Sequence, residues 1–148
     1  MRYQFFEADQ LLIQKYSGEF ILDRYMQYSG FIMQRFASKP VKKVLIDFRD
    51  ILFDEIEKVD PSIFFNTLNR VIEARKNLPN VPSGMNDILH VFWVNKPMPT
   101  VIVELFVQSF PDRDYKFCSS IQKVFEIIKV GESIHQLEQM VEHLENHF

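Results

Sequence analysis

Cysteine and glycine are scarce in this chain of 148 residues, with one Cys, at position 118, and four Gly. A single cysteine excludes an internal disulfide, and with it the small secreted folds that depend on such staples. Glycines 18, 30, 84 and 131 lie far apart, so no Gly-rich loop is present to cradle a phosphate. Positive charge is not concentrated either. Lys and Arg number 17 against 20 Asp and Glu, for a formal charge of -3. Lys42-Lys43 and Arg75-Lys76 are isolated pairs that read as solvated flanks. No basic stripe is visible, so no nucleic acid partner is expected. Long hydrophobic runs are missing: Ile88 to Val94 is far short of a membrane span. The first residues, Met1 to Glu7, have no long apolar core and no small-residue cleavage site, so no signal peptide is expected. A reducing cytoplasm is the expected compartment.

The chain is rich in apolar side chains, at 47% of residues, with 15 Phe. That suits one globular domain with a real core and excludes disorder. Arg2 to Phe6 and Leu11 to Tyr16 read as two strands joined by a turn at Glu7 to Gln10, a hairpin that Ser17-Gly18 should end. Leu22, Tyr25, Met26, Ser29, Ile32, Met33 and Phe36 then recur at helical spacing until Pro40. Val41 to Phe48 is a short apolar run that stops at charge, which suits a strand buried on both faces. Asp60-Pro61 starts a helix, with Asp capping and Pro in the first turn. Phe64, Leu68, Val71, Ile72 and Arg75 follow on one of its faces. Asn77 to Asp87 should be a loop. Ile88 to Val94 is a second buried strand, in which His90 reads as a satisfied core residue. Thr100 is expected to cap the next helix. Tyr115 to Cys118 is a further strand, and Ser119 with Gln122 has capping-box spacing for the helix after it. Ser133 and Gln136 repeat that spacing. Ile134, Leu137, Val141, Leu144 and Phe148 then form a two-heptad stripe.

Strands that alternate with helices require crossovers, so the expected fold is α/β. It has a small mixed, mainly parallel sheet, an N-terminal hairpin, helices packed on the sheet and an extra C-terminal helix. Residues 1–130 make the domain, and 131–148 an amphipathic helix appended to it. Tyr16-Ser17-Gly18-Glu19-Phe20 before the first helix, and Val44-Leu45-Ile46-Asp47-Phe48-Arg49-Asp50 after it, resemble the STAS-like group in its broad, SpoIIAA-like sense (the anti-sigma-factor-antagonist fold), in an uncharacterised bacterial branch. The resemblance covers roughly residues 1 to 130 and rests mostly on element order. It implies a regulatory or protein-interaction domain without catalysis. True antagonists of that group carry a phosphorylatable Ser at the start of the helix after the central strand. Ser62 is the nearest counterpart here, but it follows a run of acids and lacks the family's Asp-Ser-Ser-Gly-like turn. The serine switch is therefore expected to be missing.

Open α/β sheets bind ligands at the carboxyl ends of their strands. The ligand- or partner-binding candidates are therefore Asp47, Arg49, Asp50, Asn95, Lys96, Ser119 and Ser120. Asp47 and Arg49 stand two apart on a strand, on the same side, and can pair. Asp47, Asp50, Asp54, Glu55 and Glu57 read as a solvated acidic loop. His143 and His147 share a helical face without a third ligand, so no metal is expected, and no cofactor. Cys118, just before a helix, reads as a small buried hydrophobe. No residues supply nucleophile, base and oxyanion donors together, so no enzyme activity is expected. The stripe Ile134, Leu137, Val141, Leu144 and Phe148 must be covered. Either its own domain covers it, or it is the interface of a homodimer or of a complex with a protein partner. Two functions remain: a non-enzymatic STAS-like regulatory or interaction module, or a domain that binds an apolar or nucleotide small molecule. A large internal cavity would favour the second, an exposed apolar patch the first.

Overall fold

A computed structural model describes residues 1–52, 61–77 and 87–148. Its strands are β1 (Arg2–Phe6), β2 (Leu11–Glu19), β3 (Lys43–Leu52), β4 (Leu89–Trp93), β5 (Tyr115–Cys118) and β6 (Asn146–His147). Its helices are α1 (Leu22–Phe36), α2 (Pro61–Lys76), α3 (Pro97–Gln108), α4 (Ile121–Ile128) and α5 (Ile134–Glu142). They build an α/β fold around one mixed sheet in the order β5-β4-β3-β2-β1-β6. Pairings among β2, β3, β4 and β5 are parallel, whereas β1 runs antiparallel to both of its neighbours.

Strand alternation sends successive side chains to opposite faces, and here both faces are covered. One face carries Leu12, Val44, Ile46 and Phe92, packed with Ile32 of α1, Leu68 and Val71 of α2, and Val103 and Phe106 of α3. The opposite face carries Leu11, Ile13, Leu45 and Val91, packed with Val124 and Ile128 of α4 and Leu137 and Val141 of α5. This is why Leu45 and Ile46, adjacent in sequence, are both buried.

Four expectations change at element boundaries. Ser17-Gly18 does not end β2. The strand continues through Glu19 beside β3, and a register shift between Lys15 and Ser17 absorbs the irregularity. Gly18 takes φ +82°, a conformation that suits glycine. Thr100 is not a cap: Pro97 opens α3, and the Thr100 hydroxyl donates to the Lys96 carbonyl one turn back, at 2.7 Å. Ser120, rather than Ser119, caps α4, accepting from the Lys123 amide at 3.3 Å. Finally, the C-terminal segment is not helical throughout. It leaves the helix at His143, and Asn146 and His147 pair with the outer edge of β1. That pairing satisfies backbone groups that a bare strand edge would leave open.

The five-residue stripe is divided by this turn. Leu137, Val141 and Leu144 are buried against the chain's own sheet, so the same domain covers them. Phe148 has crossed the β1 edge, and its ring meets Tyr28 and Phe31 of α1 at 4.6 and 4.9 Å. Ile134 is partly buried. The Asp60 cap, the acids Asp54, Glu55 and Glu57, the side chain of Phe64 and residues 78–86 of the expected loop lie outside the described residues. Among the described residues, no helix is long and apolar enough to cross a membrane.

Candidate functional site

The carboxyl ends of the parallel strands do meet at one edge, since Asp47 pairs with Trp93 and Trp93 with Cys118. The residues there divide into separate groups. Asp47 and Arg49 pair as their spacing requires. The Arg49 guanidinium donates to both Asp47 oxygens, at 2.9 and 2.8 Å, and the Arg49 amide donates to Oδ1 at 3.0 Å. Asp47 is not in a solvated loop. It lies beneath the end of α5 and is fully buried. Burying a carboxylate requires compensation by partners. Arg49 supplies most of it, and Lys15, itself buried, approaches Asp47 Oδ2 at 3.9 Å. Lys15 also reaches Asp50 at 3.3 Å and both Glu142 oxygens at 3.0 Å. Arg49 adds a contact to Glu142 at 3.3 Å, and its guanidinium stacks 3.5 Å from the centre of the Trp93 ring. Hydrogen bonding from Lys15, with help from Arg49, holds the Glu142 carboxyl below the usual carboxylate range.

Two cations and three carboxylates thus satisfy one another and tie the end of α5 to β2 and β3. The sequence reading missed Lys15 and Glu142. Lys15 did carry a signal: alternation puts it on the face of Leu11 and Ile13, where a charge needs a partner. Asn95 and Lys96 follow β4 at the same edge, and the Lys96 ammonium donates to the Ile51 carbonyl at 3.4 Å. Ser119 and Ser120 border an open hollow of about 380 Å³ with Thr100 and Lys123. Burial pushes the Cys118 thiol up to about 11, which keeps it protonated and unreactive. Ser62 is exposed in the first turn of α2. His143 and His147 do not share a helical face, because His147 belongs to β6. Among the described residues, no three His, Cys, Asp or Glu side chains are grouped to hold a metal.

A more enclosed feature lies between α1 and the sheet, on the other face. A cavity of about 330 Å³ is walled by Leu12, Val44 and Ile46 of the sheet and by Ile32, Met33 and Phe36 of α1. That is more than twice the roughly 150 Å³ of an engineered cavity that takes up benzene, and it falls within the range of small-ligand sites. Polar groups enter it from three elements. Gln14, from β2, is buried; its carboxamide oxygen accepts from the Tyr16 hydroxyl at 3.0 Å. The amide nitrogen has no hydrogen bond among the described residues. His90 lines the cavity from β4, its Nδ1 2.9 Å from the Ile88 carbonyl oxygen. Arg75 reaches in from α2 and donates to the Ser29 hydroxyl. Arg75 is therefore not a solvated flank. Burial works against its charge, but a hydrogen bond to Tyr115 helps offset that, and a guanidinium stays protonated in proteins. Exposed Lys39, Pro40 and Lys42 stand where the cavity meets solvent, near the amino ends of the parallel strands. A second, apolar void of about 50 Å³ lies beyond Tyr25, among Phe20, Phe48, Phe92 and Phe106.

Burial lowers the His90 pKa from 6.5 to about 4; the Ile88 carbonyl opposes this and Arg75 reinforces it. An unfolded His90 takes a proton as pH falls below 6.5, while the folded one stays neutral to about 4. Its contribution to stability is therefore complete above pH 6.5 and is lost as pH falls from 6.5 toward 4. Urea unfolding at pH 7.5 and 4.5 should show a loss of about 2–3 kcal/mol from this group. His90→Gln should remove that part of the slope. An equal slope in the variant would place the titrating group elsewhere.

No protein-family model and no curated protein sequence matches this chain.

Proposed function

We propose that this chain is a non-catalytic small-molecule-binding domain, with its ligand held between α1 and the sheet. The cavity of about 330 Å³ carries this reading. An ordinary interior is packed like an organic crystal and leaves few voids larger than a water molecule. Here an apolar chamber reaches solvent, and a few polar groups converge in it, which is how ligand sites are built. Among the described residues, the ion network on the other face is satisfied within the chain.

The order of elements supports a companion reading. A hairpin followed by parallel crossovers, with α1 to α3 on one face, agrees with the STAS-like, SpoIIAA-like resemblance. In that reading the domain is a regulatory module, and the cavity is the place where a small molecule is sensed.

The test uses a neutral apolar fluorophore, N-phenyl-1-naphthylamine, titrated into the intact chain. Emission should rise to saturation at one dye per chain. Bound dye should raise the unfolding free energy by about 2.7 kcal/mol at a hundredfold excess over Kd. Met33→Trp/Val44→Phe, which fills the chamber, should abolish both effects while circular dichroism shows an unchanged fold. Dye that fails to saturate or to stabilise the intact chain would defeat the proposal.

A further inference from the structure

Resting on that reading, we infer that the cavity selects a small apolar anion, with its carboxylate on the Arg75 guanidinium and its hydrocarbon body along Ile32, Met33 and Ile46. The charges facing the chamber carry the inference. Among the described residues, its lining holds three cationic side chains, Arg75, Lys39 and Lys42, and no carboxylate. Lys39 is engaged by Glu7 at 3.1 Å, outside the chamber. Arg75 has no carboxylate partner among the described residues; its side-chain partners are hydroxyls. A cation drawn out of water without a counter-ion is costly. Arg75, partly buried and without a counter-ion among the described residues, is held near that condition at the end of a helix whose preceding turns, Leu68, Val71 and Ile72, are core. A guanidinium presents a planar fork of donors matched to a carboxylate. The unengaged Gln14 amide nitrogen adds a neutral donor on the sheet side of the same chamber.

Size and charge limit the ligand further. One partly buried guanidinium compensates one negative charge, which favours a monocarboxylate over a nucleotide with several phosphates. Most of the remaining wall is hydrocarbon, so the body of the ligand is apolar. His90 stays neutral near pH 7 and does not add to the charge.

Octanoate and octan-1-ol share a chain length and differ in the charge of the head. Isothermal titration of the intact chain at pH 7.5 should show octanoate binding about tenfold tighter or more, the difference a charge-assisted hydrogen bond makes. Octyltrimethylammonium, with the opposite charge, should bind more weakly than the alcohol. In Arg75→Met the ratio of octanoate to octanol affinity should fall to near one. Equal binding of acid and alcohol by the intact chain, or preference for the cation, would overturn the inference while leaving the binding cavity in place. Failure of octanol, octanoate and the neutral dye alike would instead remove the cavity reading itself. The comparison on the intact chain decides the matter even if Arg75→Met does not fold.

Discussion

Asp47→Ala is expected to lower the unfolding free energy by about 3–5 kcal/mol, the usual cost of removing one partner from a buried ion pair. Asp47 is fully buried, and Arg49 donates to it three times, twice from the side chain and once from the backbone. With the carboxylate gone, Lys15 keeps Asp50 and Glu142, but Arg49 retains only the 3.3 Å contact to Glu142 and its place over Trp93. The penalty is therefore that of a guanidinium left without its main counter-charge against a covered face. Asp50→Ala is the control. Its side chain is 56% exposed, and such a pair contributes at most about 1 kcal/mol. Chemical denaturation of the two variants measures the contrast. Equal, small losses would mean that Arg49 simply turns to Glu142 and that Asp47 is dispensable. The C-terminal helix should respond with Asp47, because Glu142, its last residue, belongs to the same network. Hydrogen exchange of α5 should accelerate in Asp47→Ala beyond the change in α1.

Leu45→Ala should cost about 3–5 kcal/mol and Ile46→Ala about 2–3 kcal/mol, although the two residues are neighbours on one strand. Leu45 has no exposed surface and sits in the closed face among Ile13, Val91 and Leu137. Truncation there leaves a void that surrounding groups cannot fill. Ile46 is also buried, but one side of it borders the chamber under α1. It makes fewer contacts to lose, and truncation only enlarges a space that already exists. Urea midpoints for the two variants test the order. Ile46→Ala should also strengthen binding of bulkier apolar probes, whereas Leu45→Ala should not. A larger loss at Ile46 would mean that the chamber is closed and packed in solution.

Much of the architecture could be read from periodicity. The apolar run Val44 to Ile46 had no polar alternation, so it could only be covered on both sides, and the structure covers it with two helical layers. Leu22 to Phe36 repeated at helical spacing and forms α1 over those residues. The two-residue spacing of Asp47 and Arg49 was enough to place both on one side of β3, within reach of each other. These are local relations, set by strand and helix geometry within a few residues.

Other features depended on contacts between distant segments. Gly18 looked like a strand end, yet neighbouring β3 continues the pairing past it. The C-terminal heptads extended the helical pattern to Phe148, but the open edge of β1 captured Asn146 and His147 as a strand. Lys15 and Glu142 lie 127 residues apart and meet only because α5 folds back over β2. Arg75 looked like half of a solvated basic pair, and only the packing of α2 beside α1 turns it toward Ser29 and the chamber. Local geometry in the sequence determined which faces are apolar and which elements form. The chamber is a space left between α1 and the sheet, and such a space has no residues of its own to read. Its existence, and the charge it holds, were decided by the tertiary structure alone.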